Sequence, residues 1–285
     1  MLVIIGYAIV LASIFGGFAM GGGHLGAMYQ PLEILMIAGG AGGAFVVGNS
    51  PKSVKATLAA LPACLRGSKY TKALYMELMA LLYEILNKTR KEGLMAIERD
   101  VENPGESALF GKYPTVNTDP HLVDFLTDYL RLMVSGNMNA FEIENLMDHE
   151  IETHHHEAEF PGHTIQKMAD GLPAFGIVAA VMGVVHTMES ANLPPAELGR
   201  LIAQALVGTF LGILLAYGVV GPLANLVQQR ADESAKVLQC IKVTLLATLN
   251  GYAPAIAVEF GRKVLYSTER PSFAELEMHV KQART

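Results

Sequence analysis

Apolar residues crowd into four stretches of this chain and thin out to a periodic spacing elsewhere. Residues 1–30 hold no Asp, Glu, Lys or Arg, and neither do 34–50. Residues 172–190 carry no charge until Glu189, and 201–229 carry none. A bilayer core of ~30 Å needs about 20 apolar residues of helix, so each stretch reads as a membrane span. The turn residues Gly21 to Gly23 and Glu33 fall between the first two, and a loop over 191–200 falls between the last two. The pattern therefore predicts two membrane hairpins.

The intervening segment has helical spacing. Leu74, Leu78, Leu81, Leu82 and Ile85 predict an amphipathic helix over 70–91. Asp119 is placed to cap a helix through Val134, with Pro120 at its first position. A helix with an acidic outer face follows over 141–159, and the tail reads as helices over 231–249, 255–265 and, after Pro271, 273–281. There is no strand-period run and no solenoid repeat. The expected fold is an all-α membrane protein with four transmembrane helices in two hairpins, a large helical cytoplasmic domain and a helical C-terminal tail. The corresponding segments are 1–50, 51–169, 170–228 and 229–285.

Charge sets the orientation. Apart from Arg200, every Lys and Arg lies in 52–167 or 230–284, while the turns around His24 and Asn192 are otherwise free of them. The positive-inside rule then places the long middle segment, the tail and both termini in the cytoplasm. The formal net charge of −6 does not alter this, because acids contribute little to orientation. A cleaved signal peptide is disfavoured, since the first stretch has no basic leader and no Ala-x-Ala site near Met20. A hydrophobic share of 51% suits a membrane protein with a substantial soluble part. Cys64 and Cys240 fall in segments expected to be cytoplasmic, outside any metal or redox spacing, and read as reduced core residues.

Candidate chemistry is sparse. His149, His154, His155, His156 and His163 stand among Glu150, Glu152, Glu157 and Glu159, and on a helix Glu152, His155 and His156 share a face. The His-Glu-x-x-His spacing of a zinc protease is absent, so a solvated acidic helix is the simpler reading and no metal is expected. Gly17 and Gly21, Gly39 and Gly43, and Gly208 and Gly212 fit the small-xxx-small spacing of tight membrane packing. Pro173 and Pro222 stand near the cytoplasmic ends of the third and fourth spans, as helix ends or as hinges. Thr209 is the main polar side chain deep in the fourth span, joined by Gln204 and Tyr217, and either bonds back to its own helix or lines a pathway. Arg90 and Glu98 stand eight residues apart around Gly93, which allows a break between helices. No acid falls within the span cores, so proton movement would need a carboxylate from another chain.

Several blocks, in order and nearly end to end, resemble the MotA family, the membrane stator subunits of the bacterial flagellar motor. They are YQPLEILMIAGG, YTKALYMELMALLYEIL, the ENP segment, LPAFGIVAAVMGVVHTM, GTFLGILLAYG and NGYAPAIAVEFGRKVLYSTERPSF. The resemblance implies that Arg90 and Glu98 engage the rotor protein FliG. It implies that Pro173 and Pro222 couple ion passage to motion, and that Thr209, with Tyr217 and Asp170, lines the ion path. It further implies a homopentamer around a MotB dimer that supplies the proton-accepting aspartate, in the bacterial inner membrane. On this reading the translocated ion is a proton and the chain is not an enzyme. It has no cofactor and no nucleic-acid partner. The ExbB and TolQ energisers, with three spans, are one alternative; an intramembrane metal enzyme built on the histidines is another.

Overall fold

The computed structural model describes residues 2–136, 139–189 and 192–282. In chain order the helices are α1 (Leu2–Met20), α2 (Pro31–Val47), α3 (Pro51–Leu65), α4 (Lys72–Glu92), α5 (Glu98–Glu102), α6 (Ala108–Gly111) and α7 (Pro114–Asn117). They continue as α8 (Pro120–Ser135), α9 (Ala140–Glu189), α10 (Pro195–Ile213), α11 (Gly221–Leu249), α12 (Pro254–Lys263) and α13 (Phe273–Gln282). No strand occurs among the described residues. Four helical runs are long and apolar enough to cross a membrane: Leu2–Met20, Leu25–Val47, Ala140–Glu189 and Pro195–Leu249. The all-helical, four-span fold class is therefore found. The chain divides into two compact units, residues 1–67 with 157–230, and residues 68–156 with 231–285.

The first unit holds the apolar hairpins. Its core joins Ile37 and Ala41 of α2 to Leu172 and Ala179 of α9 and Val207 and Leu211 of α10. A second cluster sets Cys64 of α3 against Ile165, Ala224 and Val227. Helix α1 buries no residue within the chain, as a helix facing lipid or further subunits is free to do.

The second unit is built on α4, which buries ten side chains from Leu74 to Leu86. Against it pack Phe125, Leu126 and Tyr129 of α8, Ile143 and Met147 of α9, Ile241 and Leu245 of α11, and Val258 of α12. Local chemistry fixes the helix starts. The Thr71 hydroxyl accepts the Leu74 amide of α4 at 3.4 Å. Reciprocal side-chain caps tie Asn139 to Glu142 at the head of α9 and Ser272 to Glu275 at the head of α13. Arg262, buried to 7% exposure, is held by Glu259 and donates to the Pro271 carbonyl at 2.8 Å.

Four expectations are corrected. Neither Pro173 nor Pro222 marks a helix end: α9 runs unbroken through Pro161 and Pro173, and Pro222 is the second residue of α11 inside a continuous helical run. A seven-residue π-helical turn, Leu214–Val220, precedes Pro222. The wider turn relieves the clash that a proline ring makes with the carbonyl four residues back. Asp119 is the N-cap residue of α8 but its side chain accepts no capping hydrogen bond; its carboxylate pairs with Lys69 at 2.7 Å. Helix α10 starts at Pro195, inside the loop expected over 191–200. Glu33, expected between the first two apolar cores, lies in the first turn of α2, buried, so an acid does fall within a span. Residues 190 and 191, at the second hairpin turn, lie outside the described residues.

Candidate functional site

The candidate residues stand in two places, one in each unit. In the apolar unit, α9 and α10 cross along glycines. A methyl built on Gly176 would stand 2.9 Å from the Gly208 carbonyl oxygen and 3.0 Å from Gly212 Cα. One built on Gly212 would stand 2.8 Å from the Leu172 carbonyl oxygen, and Gly183 meets Ala205 Cβ in the same way at 2.8 Å. Backbone touches backbone here, so of the three glycine pairs read from sequence, Gly208 and Gly212 form the close crossing within the chain. Gly39, Gly43 and Gly17 face open space.

Thr209 sits half-buried beside this seam. Thr164 and Thr187 return their hydroxyls to the carbonyls of Phe160 and Gly183, at 2.8 and 2.9 Å. Thr209 makes no such bond among the described residues, so its hydroxyl stays available to a partner or to water. Tyr217 lies in the π turn and is 69% exposed. Asp170 is exposed on α9 and accepts a hydrogen bond from Gln166 Nε2 at 2.8 Å. Among the described residues, none of these three is hydrogen-bonded to another.

Both prolines have specific surroundings. Pro173 is half-buried on α9, two residues before Phe175, whose ring covers Gly40: a methyl there would stand 2.5 Å from Phe175 Cδ1. Pro222 borders a small apolar cleft with Val3, Tyr7, Val10 and Gly218. Tyr7 donates its hydroxyl to the Val219 carbonyl at 2.9 Å, inside the π turn. The π turn shifts its carbonyls out of the usual register, and Tyr7 satisfies one of them. Tyr7 was not singled out from sequence, and Glu33 was read there only as lying between the first two spans. Pro31 at the first helical position was the signal that puts Glu33 inside a helix.

In the second unit, Arg90 lies in the last turn of α4 and Glu98 is the first residue of α5. Gly93 caps α4 at φ 89°, a conformation other residues adopt only with strain, and a 3-10 turn, Leu94–Ile97, leads into α5. Ile97 is fully buried and anchors this knuckle. Lys88 pairs with Asp100 at 2.7 Å, and Ser107 donates to the other Asp100 oxygen at 2.6 Å. Burial opposes ionisation of Asp100, but these two donors outweigh it and hold its carboxyl below the usual aspartate range. Arg131 adds a clamp, donating to Glu102 and to the Val101 carbonyl, each at 3.1 Å. Arg90 and Glu98 are both exposed, and neither makes an ion pair or hydrogen bond among the described residues. A rigid frame thus presents two free, opposite charges.

The histidines do not converge. His155 faces Asp232 at 3.6 Å, His156 faces Glu152 at 3.8 Å and His163 faces Glu159 at 3.2 Å. Among the described residues no group of three His, Cys, Asp or Glu is placed to hold a metal.

Residues 4–93 match the family described as Motility protein A N-terminal, and residues 119–240 match the MotA/TolQ/ExbB proton channel family. Motility protein A of Salmonella typhimurium is 59% identical over 284 residues, spanning 100% of this chain and 96% of the relative. That of Escherichia coli is 60% identical over the same span and coverage. The chemotaxis protein LafT of Vibrio parahaemolyticus is 38% identical over 273 residues, 96% of each chain. Among solved structures, C. jejuni MotAB shares the fold at a TM-score of 0.79 and 20% identity, covering 95% of this chain and 98% of that one. The flagellar MotAB stator complex of Bacillus subtilis shares it at 0.76 and 24%, covering 96% and 98%. By sequence along its whole length and by fold, this chain belongs to the Motility protein A family within the MotA/TolQ/ExbB proton channels.

Proposed function

We propose that this chain is the torque-generating stator subunit of a proton-driven flagellar motor. The observation that carries the reading is the 59% identity to a Motility protein A over 284 residues, with no unmatched domain left over. Four candidate spans, rather than three, favour it over an ExbB- or TolQ-type energiser.

In this reading, five copies surround a MotB dimer in the bacterial inner membrane, with both termini cytoplasmic, and MotB supplies the proton-accepting aspartate. Thr209 lines the path beside that aspartate, with Tyr217 and Asp170 further along it. Protonation neutralises the aspartate and releases its hold on the polar lining. Pro173 and Pro222 pass the resulting helix motion to residues 51–169. No cofactor takes part. Arg90 and Glu98 then push on complementary charges of FliG. Exposed pairs of this kind give rapid engagement and register more than tight binding, which suits a machine that must release and re-engage.

The test is filament rotation in cells lacking only this gene, scored beside a count of assembled filaments. Normal filaments that do not turn, rescued by the gene in sodium-free medium, are expected. Filaments that keep turning after every paralogue is also deleted would refute the reading. Separately, an Arg90→Glu, Glu98→Lys double variant is expected to lose most torque on an unmodified rotor, with the chain still at wild-type level in the membrane.

A further inference from the structure

Among the described residues of the four candidate spans, Glu33 is the one acid that is buried. It is the third residue of α2, inside the candidate span Leu25–Val47, and only 8% exposed. A glutamate at this helical position commonly folds back onto the N-cap amide. The N-cap residue here, Gln30, takes part in no side-chain cap. The carboxyl instead crosses to the α9–α10 seam. A methyl built on Gly208 would stand 2.6 Å from Glu33 Oε2, 3.2 Å from the Ala180 nitrogen and 3.3 Å from Ala179 Cβ. Only glycine at position 208 leaves space for the carboxyl, and the next residue along α10 is Thr209.

Glu33 Oε2 is out of reach of solvent and has no hydrogen-bond partner among the described residues. A buried polar atom without a partner carries a free-energy cost that a leucine or alanine would avoid. Ionisable groups turned toward the interior of a membrane bundle mark ion and proton paths far more often than they mark packing. The residue therefore combines a cost with a location on the seam beside the candidate pathway.

The geometry points to Glu33 as a proton-relay carboxyl of this chain, feeding the acceptor that meets Thr209. This rests on the proton-conducting reading above. In the forward step a hydronium reaching the seam gives its proton to the Glu33 carboxylate, forming the O–H bond of a carboxylic acid and leaving water. In the second step that proton passes to water or to the acceptor carboxylate, and the Glu33 carboxylate is restored. No electron moves, and one proton is carried per cycle.

The test uses the full chain with its native partner, in cells lacking only the chromosomal copy. Wild type, Glu33→Gln and Glu33→Asp are compared for speed with a small bead, where ion transit limits, and for stall torque per engaged unit with a large one. Gln keeps the size and hydrogen bonding of the side chain but exchanges no proton, whereas Asp is shorter but protonatable. A relay requires Gln to lower small-bead speed at least fivefold with stall torque within twofold, while Asp keeps at least half of wild-type speed. Wild-type speed for Gln, or an equal or greater loss for Asp than for Gln, overturns the proposal. So does a Gln variant that fails to reach wild-type abundance in the membrane, since that marks a packing role. Failure of the wild-type gene itself to restore rotation overturns instead the stator reading on which the relay rests.

Discussion

A single hydroxyl separates Thr209 from valine, and that hydroxyl is where a pathway role and a packing role part. The hydroxyls of Thr164, Thr187 and Thr244 are committed to their own helices; that of Thr209 is not. Thr209→Val keeps the volume, so the chain is expected to insert normally while rotation speed falls several-fold. Thr209→Ser keeps the hydroxyl and is expected to stay within twofold of wild type. Bead rotation with an immunoblot of the membrane fraction checks both. At the Gly93 knuckle that carries Arg90 and Glu98 the decisive residue is Asp100, which holds the frame through Lys88 and Ser107. Its folded carboxyl is lower than the ordinary value of 3.8. The unfolded chain thus takes up the proton first as the pH falls. The stabilising contribution is complete above 3.8 and is lost as pH drops through the lower folded value. The melting temperature of the solubilised chain is expected to fall more steeply between pH 4 and pH 3 than that of Asp100→Asn, with the variant already lower at pH 7.

Elements of this chain were legible in proportion to how far their sequence signals are local. The four spans follow from uncharged length alone, and α4 follows from the spacing of Leu74, Leu78, Leu81, Leu82 and Ile85, all of them buried. The prolines misled because their local rule, loss of one hydrogen bond and a clash, was overridden by packing along α9 and absorbed by a π turn before Pro222. Nothing in the sequence around Leu214 encodes that turn; it becomes visible only when Tyr7, 212 positions away, reaches Val219. Glu33 was misplaced for a related reason, since hydropathy treats any acid as a boundary. The glycine pairs could be found by spacing, but spacing could not say that only Gly208 and Gly212 meet a neighbour in the same chain. That difference is testable. Gly212→Val drives a branched side chain into the Leu172 carbonyl region and is expected to lower membrane abundance and abolish rotation. Gly17→Ala, where a methyl meets nothing within 4 Å, is expected to leave abundance unchanged. Quantitative immunoblots of both variants decide.

For the whole molecule the limiting quantity is energy per ion. One charge crossing 100 mV releases about 2.3 kcal/mol, roughly four times RT. Truncating a single buried leucine in a core such as that of α4 costs about 2–5 kcal/mol, so one ion cannot open a packed unit and close it again. The work has to go into a displacement that keeps each unit intact. The α9–α10 crossing is suited to this, because glycine backbones meet there without interlocking side chains. Torque at stall should then track the driving force and nothing else. Stall torque per engaged unit is expected to rise in proportion to imposed membrane potential. It should vanish within seconds of adding a protonophore, even with ATP maintained, and should not respond to replacing sodium with choline at fixed external potassium. A bead assay on energised cells, with potential set by potassium and valinomycin, measures all three. A torque that plateaus at low potential, or survives the protonophore, would show that a slower rearrangement or another energy source drives the step.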